Sequence, residues 1–538
     1  MSTPTTPGVY INELSAFPPS VVGVQTAVPC FIGYTQKAEI DGKPALLKPV
    51  RISSLAAFEA VFGGAYAARY AITPVANADE QDAHFQVMDP TANPPAYRDY
   101  GVEVQSSFVL YNSMRLFYAN GGGNCYVVSV GPYETDGTPT PVRGDDLIAG
   151  LNAAANQVGI TLLAVPDAVL LPGDEGGKPW ESADFTAVAQ AMLAQAATLG
   201  DRMAILDVYG TGCLTPPAQD GATLNAVIGR FRQDVGERGL SYGAAYFPFV
   251  EATVVQPSEV DYTSLVDPSA GGGEQLRWIL SWENRNLYGD PVDPRNTRAQ
   301  AVQANIDAIA TTDPADRAGV RALNDALLAE LPLLGQIEGV VAQGENVLPS
   351  SGAMAGVMTY ADQTRGVWNA PANVSLTSVT APTVLLDNSQ QEGLNVPVDG
   401  KAVDALREFP GRGTVVWGAR TLDGNNNDYR YIQVRRTVIY IEQSIKNALN
   451  QFAFAPNTGQ TWTSVVSMVS SFLTTLWSQG GLLGATAREA FSVECGVGST
   501  MTGQDVLDGY MIVQVTLQMI RPAEYIELTF KQKMEGVG

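Results

Sequence analysis

Histidine is nearly absent: His84 is the only one in 538 residues. A Ser-His-Asp or Cys-His catalytic arrangement would have to use it. Its neighbours Asp82 and Gln86 are ordinary loop residues, which favours a loop histidine over a general base. Cysteine is scarce as well. Cys30, Cys125, Cys213 and Cys495 are scattered with no CxxC spacing, a pattern of buried free thiols rather than of disulfides or zinc ligands. No metal or cofactor is expected. No apolar run is long enough to span a bilayer; even the stretch from Trp462 to Trp477 carries Ser464, Ser467, Ser470, Ser471, Thr474 and Thr475. The first ten residues hold no Lys or Arg and no apolar core follows, so no secretory signal is read there. The expectation is a soluble protein made in the cytoplasm and kept there before any release by lysis, with no direct membrane insertion.

Charge is thin, at 16% against a usual figure of about 25%, and the net charge is −23. Nucleic-acid binding needs clustered Lys and Arg, which this balance excludes. The excess is also uneven. From Arg420 to Gly538 there are 9 basic and 10 acidic residues, and the rest of the chain holds 23 and 45. A thinly charged chain of this size fits one that hides much of its surface in an assembly, its acidic part facing water.

Chemistry-bearing motifs are few. Gly121-Gly122-Gly123-Asn124 and Gly271-Gly272-Gly273 lack the GxxxxGK[ST] form of a phosphate loop and read as turns. Asp423-Gly424-Asn425-Asn426-Asn427-Asp428 lacks the glutamate at position twelve of a calcium loop and reads as a hairpin turn. Asp207 ends a predicted strand, where α/β enzymes place catalytic groups, but with no His or Cys nearby a helix cap or surface acid fits better.

Residues 1–20 read as an arm, because Pro4, Pro7, Pro18 and Pro19 forbid helix. Residues 66–104, with Pro74, Pro90, Pro94 and Pro95, read as a loop-rich surface insertion. From about 145 helices alternate with apolar strands: helix 146–158, strand 160–165, helix 185–199 with Asp184 as cap and Gly200 as stop, strand 203–208, helix 224–235 and strand 242–249. That alternation predicts a mainly parallel sheet with helices on its faces. Nearer the C-terminus two apolar stripes at helical spacing, Val438 to Phe452 and Trp462 to Trp477, are separated by Pro456 and Gly459, and Gly480-Gly481 ends the second. Residues 447–487 carry no charged side chain, which balances a helix central to its own domain against an interface helix. Met511, Val513, Val515, Leu517 and Met519 alternate with polar residues as a half-buried antiparallel strand.

Both ends alternate at period two. Thr6-Pro7-Gly8-Val9-Tyr10-Ile11-Asn12-Glu13 opens the chain, and Arg521-Pro522-Ala523-Glu524-Tyr525-Ile526-Glu527-Leu528-Thr529-Phe530 closes it. A terminal strand needs partners for its amides and carbonyls, and a neighbour's sheet edge supplies them. Val9 and Ile11 share one face with Tyr10 opposite; Ile526, Leu528 and Phe530 share another.

The opening Pro-Gly-Val-Tyr-Ile-x-Glu resembles that of contractile tail sheath proteins of bacteriophage tails and related contractile injection systems. Further blocks resemble the family in order: Pro349-Ser350-Ser351-Gly352-Ala353-Met354-Ala355-Gly356, Asp362, Arg365-Gly366-Val367-Trp368-Asn369-Ala370-Pro371-Ala372-Asn373, Gly413-Thr414-Val415-Val416-Trp417-Gly418-Ala419-Arg420-Thr421, Tyr431-Ile432-Gln433-Val434-Arg435-Arg436 and Phe454-Ala455-Pro456-Asn457. Ala455 stands where the family usually has Glu, and the middle of the chain matches loosely.

The resemblance implies a multidomain α/β and α+β protein: a subtilisin-like α/β middle domain without protease chemistry and a C-terminal α+β inner domain, with strand arms at both ends. The corresponding division is an arm at 1–20, entry strands at 21–65, an insertion at 66–135, the α/β domain at 136–418 with a helical insertion at 295–340, a tube-facing domain at 419–520 and an arm at 521–538. It implies a non-enzymatic subunit of stacked hexameric rings around an inner tube, contracting to drive the tube through a target envelope. Implied partners are further copies, the tube, a baseplate and a terminator or cap protein, and the implied location is the bacterial cytoplasm, then a tail or injection particle. Arg435, Arg436, Lys446 and Arg488, the basic groups between 430 and 510 apart from Arg430, are the expected tube contacts; for Arg435-Arg436 a solvated helix start is the plainer alternative. The rivals are an α/β hydrolase-type enzyme, which would have to work with one histidine, and a non-contractile shell or surface-lattice protein.

Overall fold

The computed structural model describes residues 20–75, 83–173, 178–214, 221–266 and 274–525. The chain divides into two units, one formed by Thr26–Arg436 and the other by Met1–Gln25 with Thr437–Gly538.

The larger unit is built on an eight-stranded sheet. Across it the strands run Gly413–Val416, Asp404–Phe409, Gly243–Phe247, Met203–Asp207, Leu162–Ala164, Pro29–Thr35, Cys125–Pro132 and Val50–Ile52. All neighbours pair in parallel except the two edge strands, Gly413–Val416 and Val50–Ile52, which are antiparallel. The central strands are buried along their whole length, as a sheet covered on both faces requires. Helices Gly144–Ala155, Ala183–Leu199 and Gly221–Asp234 supply apolar stripes to this core. The middle one is capped by Ser182, whose hydroxyl accepts from the Phe185 N–H; Asp184 sits in the first turn instead of capping it, and Gly200 closes the helix.

Residues 66–135 are not a surface insertion. Arg69–Val75, Phe85–Asp89 and Ala96–Ser106 form an antiparallel sheet joined by Leu265–Val266, and Tyr70, Ile72, Phe85, Val87, Tyr100 and Val102 are buried in the core. The prolines misled because they sit where a sheet tolerates them. Pro90, Pro94 and Pro95 lie in the turn between two strands, and Pro74 lies beyond the short pairing with Leu265–Val266, where its strand has a neighbour on one side. Within the same span Cys125–Pro132 is a strand of the main sheet. Residues 297–345 hold the helices Thr297–Ala308, Arg317–Glu330 and Pro332–Glu345.

The smaller unit begins at Thr437 rather than at residue 419. Residues 419–436 are tied to the larger unit: Leu422 N–H donates to the Gly243 carbonyl at 2.9 Å, and Arg420 N–H to Asp404 Oδ1 at 2.8 Å. The smaller unit contains most of helix Ile432–Leu449, helix Gly459–Ser478 and an antiparallel pair, Phe491–Glu494 with Gln514–Leu517. Asn457 fixes the second helix's start, accepting from Trp462 Nε1 at 2.7 Å and donating to the Tyr510 carbonyl at 2.9 Å. Gly480 and Gly481 close its end on Trp477 and Leu476.

Candidate assembly surfaces

The places where a doubly wound sheet offers a reactive group are occupied by helix starts. Asp167 follows strand Leu162–Ala164, at the point where strand order reverses beside Pro29–Thr35. It is fully buried and accepts from the N–H groups of Tyr34 at 2.8 Å and of Val109 and Leu110 at 3.0 Å, so it caps helix Leu110–Ala119. Asp207 ends the next strand and accepts from Ser351 N–H at 2.8 Å and Ser350 Oγ at 3.2 Å, capping helix Ser351–Arg365. Burial pushes both carboxyls up to about 6, against the pull of these donors. His84 accepts from Val102 N–H through Nδ1 at 3.1 Å, a strand-edge contact. No metal-holding group of His, Cys, Asp and Glu occurs among the described residues.

The Pro349–Gly356 block has a packing role. Helix Ser351–Arg365 lies against helix Leu110–Ala119 so closely that a Cβ on Gly352 would stand 2.5 Å from the Ser113 carbonyl oxygen, and one on Gly356 2.6 Å from that of Phe117. The Ser350-Ser351 clamp and the two glycines thus set the end and the face of one helix. Asp362, later on that helix, meets Arg436 in a two-point ion pair of 2.9 and 2.6 Å, both side chains buried. Arg435 lies 3.4 Å over the Tyr429 ring and 4.2 Å over Tyr242, and donates to Ser241 Oγ at 3.0 Å.

Arg435 and Arg436 are therefore corrected as tube contacts. Their guanidinium groups are 6% and 5% exposed as residues and already engaged within the larger unit. Composition made them look available; Asp362, which pairs with Arg436, and Ser241, which accepts from Arg435, lie 74 and 194 residues away. Lys446, in the last turn of helix Ile432–Leu449, and Arg488, in the short helix Ala487–Ala490, are exposed. Val9, Tyr10, Ile11, Ile526, Leu528 and Phe530 lie outside the described residues.

The smaller unit presents a two-stranded sheet with register Phe491 to Leu517 and Glu494 to Gln514, and no third strand joins it among the described residues. Alternate residues on each strand are half-buried and exposed, and helix Gly459–Ser478 packs on it. Both outer edges offer backbone groups to an added strand. The outer face of that helix carries Thr463, Ser467, Ser471, Thr474 and Thr475, all exposed and uncharged.

Residues 424–533, which include this sheet, match the model of the phage tail sheath C-terminal domain. A structure of the anti-feeding prophage helical sheath in contracted state is similar over 99% of this chain and 100% of that one, at 26% identity and TM-score 0.56. The chain is a contractile tail sheath subunit. Its likeness extends to a chain of the six-fold symmetrised anti-feeding prophage baseplate, at 26% identity and TM-score 0.55 over 99% and 100% of the two chains. A chain of the PVC sheath complex in contracted state, from an extracellular contractile injection system, shares the fold at 24% identity and TM-score 0.56, over 99% of both. A search of curated protein sequences gives no match. The role of this sheath subunit is structural, within a tail-like particle, and no described helix is long and apolar enough to cross a membrane.

Proposed function

We propose that this subunit polymerises as stacked hexameric rings around a rigid inner tube, and that its repacking into a shorter, wider lattice drives the tube through a target envelope. The observation that carries this reading is the two-stranded sheet, which no third strand joins among the described residues, in the region matching the tail sheath C-terminal domain. Strands 9–11 and 526–530 of neighbouring copies would extend that sheet, tying ring to ring. Backbone ladders suit a moving lattice, since their hydrogen bonds do not depend on side-chain match. The contracted sheath and baseplate relatives support further copies and a baseplate as partners; the tube and a terminator or cap protein complete the reading. The larger unit is read as a subtilisin-like framework without catalysis, its strand-end carboxylates spent on helix caps. The work of contraction is then drawn from better contacts between subunits.

Deleting residues 1–20 should leave a folded protein that forms no long sheaths, by circular dichroism and electron microscopy. Normal tubes from the truncated protein would remove the strand-exchange reading.

A further inference from the structure

Helix Pro332–Glu345 of the larger unit docks through Leu333, Leu334, Ile337, Val341 and Ala342, all buried. Two carboxyls share that face, two turns apart. Glu338 is 3% exposed, and its Oε1 has no hydrogen-bond partner. Glu345 is half-buried and accepts long bonds from the Tyr70 hydroxyl at 3.3 Å and Asn112 Nδ2 at 3.4 Å. A third carboxyl holds the helix start, where Glu283 Oε1 accepts from Leu333 N–H at 2.9 Å. The arginines on the surrounding elements are spent elsewhere. Arg115 makes a two-point pair with Glu259 at 2.8 and 3.0 Å, and Arg317 lies 3.8 Å from Asp261. Arg98 pairs with Asp89 and Arg285 with Asp290, while Arg321 is exposed. Burial pushes Glu338 up to about 7 against the Asn324 amide, and the like charges of Asp261 and Asp325 add to it. Burial also pushes Glu345 up to about 7, against the pull of Tyr70 and Asn112.

We propose that helix Pro332–Glu345 is a latch held shut by protonated carboxyls, loosening from helix Arg317–Glu330 and from Tyr70 and Asn112 as the solution turns alkaline. A protonated carboxyl is neutral and sits in an apolar seam at little cost. A carboxylate at Glu338 would have no counter-ion and one oxygen without a donor, so it ionises most easily by leaving the seam. In the opened helix each carboxyl returns to its ordinary 4.5. Its hold is therefore full below about pH 4.5 and is lost as pH rises through 7. Glu345 is followed by strand Val347–Leu348 and the Ser350-Ser351 clamp on Asp207, so the latch adjoins the block that seats helix Ser351–Arg365.

The test is amide hydrogen exchange of the full, unassembled chain at pH 6.5 and 8.5, above the range in which Asp167 and Asp207 lose their protons. Rates are corrected for intrinsic exchange and read as opening constants. Opening of residues 333–345 should rise about fourfold for each carboxyl, roughly fifteenfold for the pair. Helix Ala183–Leu199, whose buried face carries no carboxyl, should stay unchanged. Glu338→Gln with Glu345→Gln keeps both shapes neutral at every pH and should flatten the response. Each single variant should remove one fourfold step, which keeps the test open where the other fails to fold. A parent helix whose opening does not change over this range would overturn the proposal. So would a Gln variant that keeps the parent's slope, or an equal rise in helix Ala183–Leu199, which would mark general unfolding.

Discussion

Arg436 and Asp362 form a two-point ion pair, 2.9 and 2.6 Å, with both side chains almost wholly buried. The pair joins the start of helix Ile432–Leu449 to helix Ser351–Arg365, whose own start is held by Asp207. Two sequence blocks separated by 74 residues thus serve one joint.

Breaking that joint on one side should be costly. Arg436→Ala or Asp362→Ala leaves a buried charge without its partner, a loss of about 3–5 kcal/mol. Replacing both with apolar residues of similar volume should recover most of the stability, as read by denaturant unfolding. Equal losses in the single and double variants would mean that packing, not charge pairing, sets the effect.

Gly352→Ala should destabilise by about 1–3 kcal/mol, because the added Cβ meets the Ser113 backbone oxygen at 2.5 Å rather than a movable side chain. Gly339→Ala is the control on an open helix position, where nothing lies within 4 Å; it should be neutral or slightly stabilising. Equal melting temperatures for the two variants would contradict the close packing.

The buried caps predict a pH dependence. Asp167 and Asp207 have carboxyls raised to about 6 from the ordinary 3.8, so between about pH 4 and 6 the folded chain holds protons that the unfolded chain releases. Their contribution is therefore present below about pH 4 and lost as pH rises to about 6, by roughly 2–3 kcal/mol per group. Asp207→Asn removes one titrating group while keeping a side-chain acceptor. The slope of stability against pH across this window should be shallower in Asp207→Asn than in the parent; an unchanged slope would mean the cap does not titrate there.

Legibility followed locality. The helix at 459–478, its glycine stop and the half-buried strand at 514–517 were readable because each pattern lies within a few turns of chain. The alternating strands of the main sheet were readable for the same reason, and Asp207 as a helix cap was among the readings made from the sequence. The sheet of residues 69–106 was missed because its prolines mark turns inside a sheet as well as loops outside one. Arg435 and Arg436 were misread because burial by Tyr242 and Asp362 is non-local. Gly352 and Gly356 stood in a block read only as a family resemblance, and nothing in the sequence named helix Leu110–Ala119 as what they approach.

With Arg435 and Arg436 removed, Lys446 and Arg488 remain as candidate tube contacts. An exposed pair contributes roughly 0–1 kcal/mol, but repetition around a ring multiplies it. Lys446→Glu or Arg488→Glu should weaken co-sedimentation with tube polymers while tube-free sheath polymerisation persists. Cross-links placing the tube against residues 60–340 would reject both residues together.

The central claim is that this chain builds a sheath, and electron microscopy of the purified, concentrated protein tests it most directly. The account predicts hollow tubes with a helically ridged wall and six-fold symmetry in cross-section. Flat lattice sheets, or particles that stay single chains under every polymerising condition, would contradict it.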